Sequence, residues 1–230
     1  METTSSAISH APYSYTVFID LDHTMIRKIS GKTLALAAVR KGHVKPVVLL
    51  KILLQYLLFR MRLRDPGKTA ERMIKWTHGL HETTITELCN ETAEKVLFPS
   101  VYNEAVAEIE FHKNNHARIV ILSASIIQIC RKIAAPFGID EIICTSLEVK
   151  NGYLTGHTNG RLCFGDEKIT RLREYCSGHG INISESWYYG DSLSDLPVFH
   201  AVGSPVCINP GSKLRKTAVE RGWKILGWSS

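Results

Sequence analysis

Apolar residues fall into two patterns along this chain: short continuous runs bounded by turn residues, and longer stretches where they recur every three or four positions. The runs Thr16–Ile19, Arg118–Leu122, Glu141–Thr145, Trp187–Tyr189, Pro205–Ile208 and Trp223–Leu226 are rich in β-branched and aromatic side chains. They are too short for stable helices and predict buried strands. Between them, Ser100–Asn114, Ile126–Phe137, Asp166–Ser177, Asp195–His200 and Ser212–Arg221 have helical periodicity. In the first of these, Val101, Ala105, Ile109 and His112 share one side. Glu148–His157 differs, because Asn151-Gly152 at its centre predicts a β-hairpin with a tight turn. Strand followed by helix, repeated, predicts an α/β fold built on a doubly wound parallel sheet.

Residues 28–97 break the alternation. Helical patterning takes over in Gly31–Gly42, Pro46–Arg64, Lys68–His78 and Thr83–Val96. Pro46 suits the first turn of a helix, and Asp65-Pro66-Gly67 ends it. Thr83 and Thr84 ahead of Glu87 resemble a capping box. The organisation expected is a core formed by residues 15–27 and 98–230, an all-helical insertion over 28–97, and a flexible polar arm over 1–14. The helix Pro46–Arg64 is apolar almost all round, with Lys51, Gln55 and Arg62 as its main polar interruptions. Such a helix is expected to bury itself against its neighbours or, next in order, against a second subunit in a homodimer. Its apolar run Val47–Phe59 is thirteen residues long, short of the ~20 needed to span a bilayer.

Charge sharpens the picture. The 230 residues carry a net charge of +6, but Arg27–Lys75 holds thirteen Lys and Arg against Asp65 and Glu71, which leaves the remainder of the chain acidic. A basic segment on an acidic body is expected to face an anion. No nucleic acid is expected, since the basic residues lack interleaved aromatics and no nucleic-acid-binding pattern is present. A peripheral contact with an anionic membrane through Arg60, Arg62 and Arg64 is the sharper alternative for the insertion. The six cysteines form no CxxC pair, and the start of the chain has no secretory pattern. Free thiols in a reducing, cytoplasmic setting are therefore expected.

The chemistry gathers at strand ends. The first strand runs directly into Asp20-Leu21-Asp22-His23-Thr24. Two carboxylates this close repel one another and raise one pKa unless a cation intervenes, which points to a divalent ion with oxygen ligands such as Mg²⁺. Strand Arg118–Leu122 leads to Ser123, either a helix cap or a donor to a phosphate oxygen. Lys168 lies in the first turn of a helix, where a cation opposes the helix dipole. A salt bridge to Asp166 or Glu167 would compensate it locally; a reach into an anion site is the functional reading. Gly190-Asp191-Ser192-Leu193-Ser194-Asp195 follows another strand and adds a second acidic pair.

These four motifs, in this order, resemble the haloacid dehalogenase (HAD) superfamily, and more narrowly its phosphoserine-phosphatase-like branch, subfamily IB, with a helical cap inserted after the first motif. The resemblance spans roughly Tyr15 to Trp228. It implies a phosphoric monoester hydrolase on a HAD-like Rossmannoid core. Asp20 would be the nucleophile and form an aspartyl-phosphate. Asp22 would protonate the leaving alcohol and then activate water. Ser123 and Lys168 would bind the substrate phosphate, with Thr24 beside them holding the motif's geometry. Mg²⁺ would be held by Asp20, Asp22 through its backbone carbonyl, and Asp191, with Asp195 in support. The substrate class implied is a small phosphorylated metabolite, phosphoserine-, histidinol-phosphate- or glycerol-phosphate-like. The alternatives are a lipid-phosphate phosphatase at a membrane surface, a phosphotransferase, and, last, a non-enzymatic anion- or nucleic-acid-binding protein.

One position departs from the family's habit. Between Asp22 and Thr24, where glycine is frequent, stands His23, for which a structural or supporting role is expected ahead of a direct one.

Overall fold

The structure, a computed structural model, describes residues 13–48, 50, 54 and 74–229. Six strands form one parallel sheet: β1 (Tyr15–Ile19), β2 (Ala117–Ile126), β3 (Glu141–Thr145), β6 (Trp187–Gly190), β7 (Ser204–Ile208) and β8 (Lys224–Leu226), in the order β3-β2-β1-β6-β7-β8. β1 lies centrally, in register with β2 on one side (Ile19 opposite Ile121) and β6 on the other (Ile19 opposite Tyr189). Strand order reverses there, and in open α/β sheets the crevice beyond such a reversal is where ligands bind.

The continuous apolar runs have a simple cause: both faces of the sheet are buried. Side chains alternate across a strand, so Val17 and Ile19 join one core while Phe18 joins the other. The first core receives α1 (Ser30–Arg40) through Leu34 and Ala38, α2 (Glu82–Thr92) through Ile85, Leu88 and Cys89, α3 (Asn103–Asn114) through Ala105 and Ile109, and α4 (Ile127–Ala134) through Ile129 and Ile133. The second receives α5 (Asp166–His179) through Ile169, Leu172 and Cys176, α6 (Leu196–Phe199), and α7 (Ser212–Arg221) through Leu214 and Ala218. Burying each of the leucines and isoleucines among them contributes about 1.5–3 kcal/mol. All six cysteines are free and buried.

β4 (Leu147–Lys150) and β5 (Tyr153–Thr158) form a separate antiparallel hairpin. Asn151 and Gly152 both take positive φ, 52° and 80°, as a type I′ turn requires. The hairpin docks on the start of α2: Glu82 N–H donates to Gly152 O at 2.9 Å, and Leu154 N–H to Leu80 O at 2.8 Å.

Several boundaries differ from expectation. α3 begins at Asn103 rather than Ser100, because Phe98–Ser100 forms a 3-10 turn containing Pro99 and Val101 bridges to Ile26. The cap of α2 is His81, whose Nδ1 accepts from Thr83 N–H, not the Thr83/Thr84 box. That helix also stops being α-helical at Thr92 and continues as a π turn over Ala93–Leu97. His112 lies on the buried side of α3 as expected. Its ring is satisfied by Tyr15 Oη (2.8 Å) and Tyr189 Oη (2.7 Å), and burial pushes its pKa down.

Of the helix expected over Pro46–Arg64, helical backbone is described at 46–48, 50 and 54. Val47, Leu50 and Leu54, which share one helical face, are 55%, 67% and 51% exposed. Lys51, Gln55, Arg60, Arg62 and Arg64, the start of the Lys68–His78 stretch, and residues 1–12 of the expected arm lie outside the described residues. No helix among the described residues is long and apolar enough to cross a membrane.

Candidate active site

The site is built at the ends of β1, β2 and β6, beside the reversal of strand order. Asp20 follows β1 directly; it is buried, and its N–H donates to Tyr189 O at 3.0 Å, which extends the β1–β6 ladder by one bond. The chain then turns tightly. Leu21 O accepts from the N–H groups of Thr24, Met25 and Ile26, and His23 takes a left-handed φ of 58° to close the turn. A non-glycine residue in that conformation is uncommon, so His23 meets a backbone demand that glycine often meets in the family. Its side chain is exposed and lines a surface groove. Thr24 is fully buried inside the turn, and its hydroxyl has no hydrogen-bond partner among the described residues.

Asp20 and Asp22 sit in different environments. Asp20 Oδ1 lies 3.3 Å from Lys168 Nζ. Asp22 Oδ1 instead accepts the N–H of Ser30, the first residue of α1, at 3.0 Å. Desolvation nevertheless raises the Asp22 pKa to about 7, against the lowering effect of the Ser30 hydrogen bonds. A carboxyl with that pKa can both give and take a proton near neutrality.

Lys168 occupies the third position of α5 and is 2% exposed. The local alternative is excluded: Glu167 pairs with Arg171 at 3.0 Å, while Lys168 reaches inward to Asp195 Oδ1 at 3.1 Å, Asp20 Oδ1 at 3.3 Å and Tyr188 Oη at 2.8 Å. Burial alone would push the ammonium's pKa down, but Asp195 and Asp20 outweigh it and hold it above the ordinary lysine value. Lys168 is therefore a fixed positive charge.

Asp191 follows β6, and Asp195 ends the 3-10 turn Leu193–Asp195 just before α6. Carboxylate oxygens of Asp20, Asp191 and Asp195 all lie within 4.8 Å of one another. Burial, with the charges of Asp20 and Asp195, pushes the Asp191 pKa well up; burial also raises that of Asp195, against the pull of Lys168. With all three carboxylates ionised, one ammonium would leave two negative charges uncompensated, a repulsion that adds to burial in pushing these pKa values up. Asp195 Oδ2 is also buried with no hydrogen-bond partner among the described residues. A buried orphan oxygen in an all-oxygen acidic cluster fits a hard divalent cation such as Mg²⁺. The Asp22 carboxylate is not a member of this cluster.

Ser123 is buried in β2, where pairing with β3 shifts register between Leu122 and Ile126. Within that irregularity Ser123 Oγ accepts from Ser125 N–H at 3.3 Å. Ser125 Oγ in turn meets Ser30 Oγ at 2.7 Å, which ties the β2 end to the start of α1.

Two residues of the site were not legible from sequence. Ser30, which holds Asp22, sits in no motif. Tyr188 reads as one more aromatic of a buried strand, and nothing local distinguishes it from Trp187 or Tyr189. Gly190 has a reason tied to Tyr188: a Cβ there would lie 2.8–3.0 Å from Tyr188 Cε1, Oη and Cζ. Gly190→Ala is expected to displace that ring from Lys168, costing about 1–3 kcal/mol in overpacking and lowering kcat roughly tenfold. Thermal unfolding and steady-state kinetics check this; unchanged kcat would detach Tyr188 from the site.

The sequence model of the haloacid dehalogenase-like hydrolases matches residues 17–200, which include every one of these side chains. The chain belongs to that family. A probable phosphatase of Mycobacterium tuberculosis is 30% identical over 223 residues, 95% of this chain and 77% of its own. Among solved structures, a Bordetella pertussis protein of unknown function superposes with a TM-score of 0.85 at 25% identity, covering 94% of this chain and 99% of that one. A phosphoserine phosphatase captured as an analogue of its phospho-aspartyl intermediate gives 0.71 at 17% identity, with 93% of each chain covered. The HAD fold of this chain is that of the phosphoserine phosphatases, and the family match together with its phosphatase relatives supports a phosphatase.

Proposed function

We propose that this HAD phosphatase is a Mg²⁺-dependent phosphomonoesterase working through a phosphorylated Asp20 on a small phosphorylated metabolite. The observation that carries the reading is the division between the two carboxylates: Asp20 is bridged to a buried ammonium, while Asp22, two residues on, is held apart by Ser30 with a pKa of about 7. Neighbouring acids whose environments separate their roles are a signature of paired nucleophilic and acid–base work.

In the first half-reaction an Asp20 oxygen attacks phosphorus, the P–O bond to the alcohol breaks, and Asp22 delivers its proton to the departing oxygen. In the second, Asp22 takes a proton from a water that attacks the aspartyl-phosphate, releasing inorganic phosphate and restoring Asp20. Lys168 and Ser123 carry the phosphoryl oxygens, and Thr24 holds the turn that carries Asp22. Phosphoryl transfer gains most from positioning and positive charge, and a lysine already fixed by Asp195 and Tyr188 supplies both without reorganisation. Asp20, Asp191 and the Asp22 backbone carbonyl would hold Mg²⁺, supported by Asp195. Bound there, the ion would neutralise the acid cluster and polarise the phosphoryl group.

Release of inorganic phosphate from an aryl phosphate is the test. Turnover is expected with millimolar Mg²⁺, to fall at least a hundredfold in EDTA, and to return on re-addition. Full activity in EDTA would remove the metal from the reading, and no turnover on any phosphate ester with Mg²⁺ would remove the enzyme.

A further inference from the structure

A groove of about 570 Å³ lies between α1 and the α2–π segment, and none of Asp20, Asp191 and Asp195 lines it. One end is lined by His23 and Ile29. His23 is covalently next to Asp22, and Ile29 is next to Ser30, which holds the Asp22 carboxylate. Consecutive Cα atoms are ~3.8 Å apart, so this end of the groove comes within one residue of Asp22 and of Ser30 along the chain, although neither residue lines it. From there it follows α1, every third or fourth residue from Ile29 to Lys41 facing it, over about 16 Å at 1.5 Å per residue.

The charge on its walls is one-sided. All five cations of the segment 27–41 line it (Arg27, Lys28, Lys32, Arg40 and Lys41), and Lys95 joins them from the opposite wall. A solvated basic helix spreads its charges over the convex side; here they converge on the concave one, which focuses the potential. The single acid among the described lining residues, Glu91, is taken by Lys41 and by Lys95 at 2.7 Å, and their hydrogen bonds pull its pKa down to about 2. Arg27 is occupied by Pro99 O at 3.0 Å and by the Tyr102 ring. Lys28, Lys32 and Arg40 have no ion-pair partner among the described residues. Among the described residues the groove therefore has cations to spare and no free carboxylate for an ammonium.

We infer that the alcohol half of the substrate carries its own phosphoryl anion, bound by Lys28 and Lys32 on either side of Ser30, whose N–H holds Asp22, so that the protein acts on bis-anionic phosphomonoesters rather than on phosphorylated amino alcohols. This deepens the phosphatase reading and rests on it for which end of the ligand reacts. The second anion could belong to a free bisphosphate or to a phospholipid headgroup; the exposed apolar face of Val47, Leu50 and Leu54 belongs to the same helical insertion and would suit the acyl chains of the latter.

Binding to non-hydrolysable probes separates this inference from the reaction itself. With Mg²⁺ present, propane-1,3-bisphosphonate is expected to bind the full chain at least tenfold more tightly than propylphosphonate, by titration calorimetry. The double variant Lys28→Glu/Lys32→Glu should reduce that ratio to about one, and Lys213→Glu, on α7, should leave it at the wild-type value. Equal binding of the two phosphonates, or a ratio unchanged in the double variant, overturns the inference even if aryl phosphate is hydrolysed. The preferred ratio without any turnover sustains the groove while the reaction assignment falls. Turnover of propane-1,3-diol bisphosphate is then compared with that of a two-chain phospholipid ending in a phosphomonoester, presented in detergent micelles. The faster of the two names the source, and a 3-aminopropyl phosphate processed faster than either would overturn the assignment.

Discussion

Replacing Asp20, the proposed nucleophile, by Asn is expected to abolish turnover, with kcat falling about 10⁴-fold or more, while the fold persists. The amide is nearly isosteric but cannot attack phosphorus, and losing a nucleophile costs catalysis on this scale in enzymes that form covalent intermediates. The structure also says why the protein survives the change. Lys168 keeps its bridge to Asp195 at 3.1 Å and its bond to Tyr188 at 2.8 Å, and removing one of three crowded carboxylates relieves repulsion that pushes the Asp191 pKa up. A circular-dichroism melt within a few degrees of the parent, together with absent phosphate release and no hydroxylamine-trappable acyl phosphate, is the expected result. Retained turnover would move the nucleophile elsewhere.

Lys168→Met is expected to damage stability as well as activity. The ammonium is buried and shared by Asp20 and Asp195; without it both carboxylates are stranded in a site that already lacks positive charge. Breaking a buried pair from one side costs about 3–5 kcal/mol, which for a chain of this size lowers Tm by roughly 6–20 °C. Turnover should drop about 10³-fold, since an electrostatic donor to the transferring group is lost. Millimolar Mg²⁺ should restore part of the lost Tm but not the activity, because a cation among Asp20, Asp191 and Asp195 relieves their repulsion without replacing the lysine. A variant as stable as the parent would mean that Lys168 is not the counter-charge of the cluster.

How much of this was legible in sequence varies with the range of the interaction. β1, β3, β6, β7 and α7 lie where the apolar patterns place them, because a strand buried on both faces must be apolar throughout and a helix packed on one face must repeat every three or four residues. The hairpin followed from Asn151-Gly152, whose positive φ angles few other pairs adopt. The ends of elements were less legible. α3 starts late and α2 is capped by His81, since Pro99, the Ile26–Val101 bridge and the docked β4–β5 hairpin settle those ends through contacts distant in sequence.

The site divides in the same way. Asp20, Asp22, Asp191 and Asp195 were visible because strand-end acids are rare against the background of buried apolar runs. The sequence could pose, but not decide, whether Lys168 answers Asp166 and Glu167 beside it or carboxylates 27 and 148 residues away; only the packing of α5 against β2 and α6 turns it inward. The separation of Asp20 from Asp22 is likewise tertiary, because it depends on Ser30 arriving with its N–H free at the start of α1. By itself the sequence determined which chemical groups the protein brings to the ends of its strands. The tertiary structure decided which carboxylate meets the lysine, which holds a proton near pH 7, and that the cations of residues 27–41 converge on one groove, because charge and desolvation act through space and take no account of chain order.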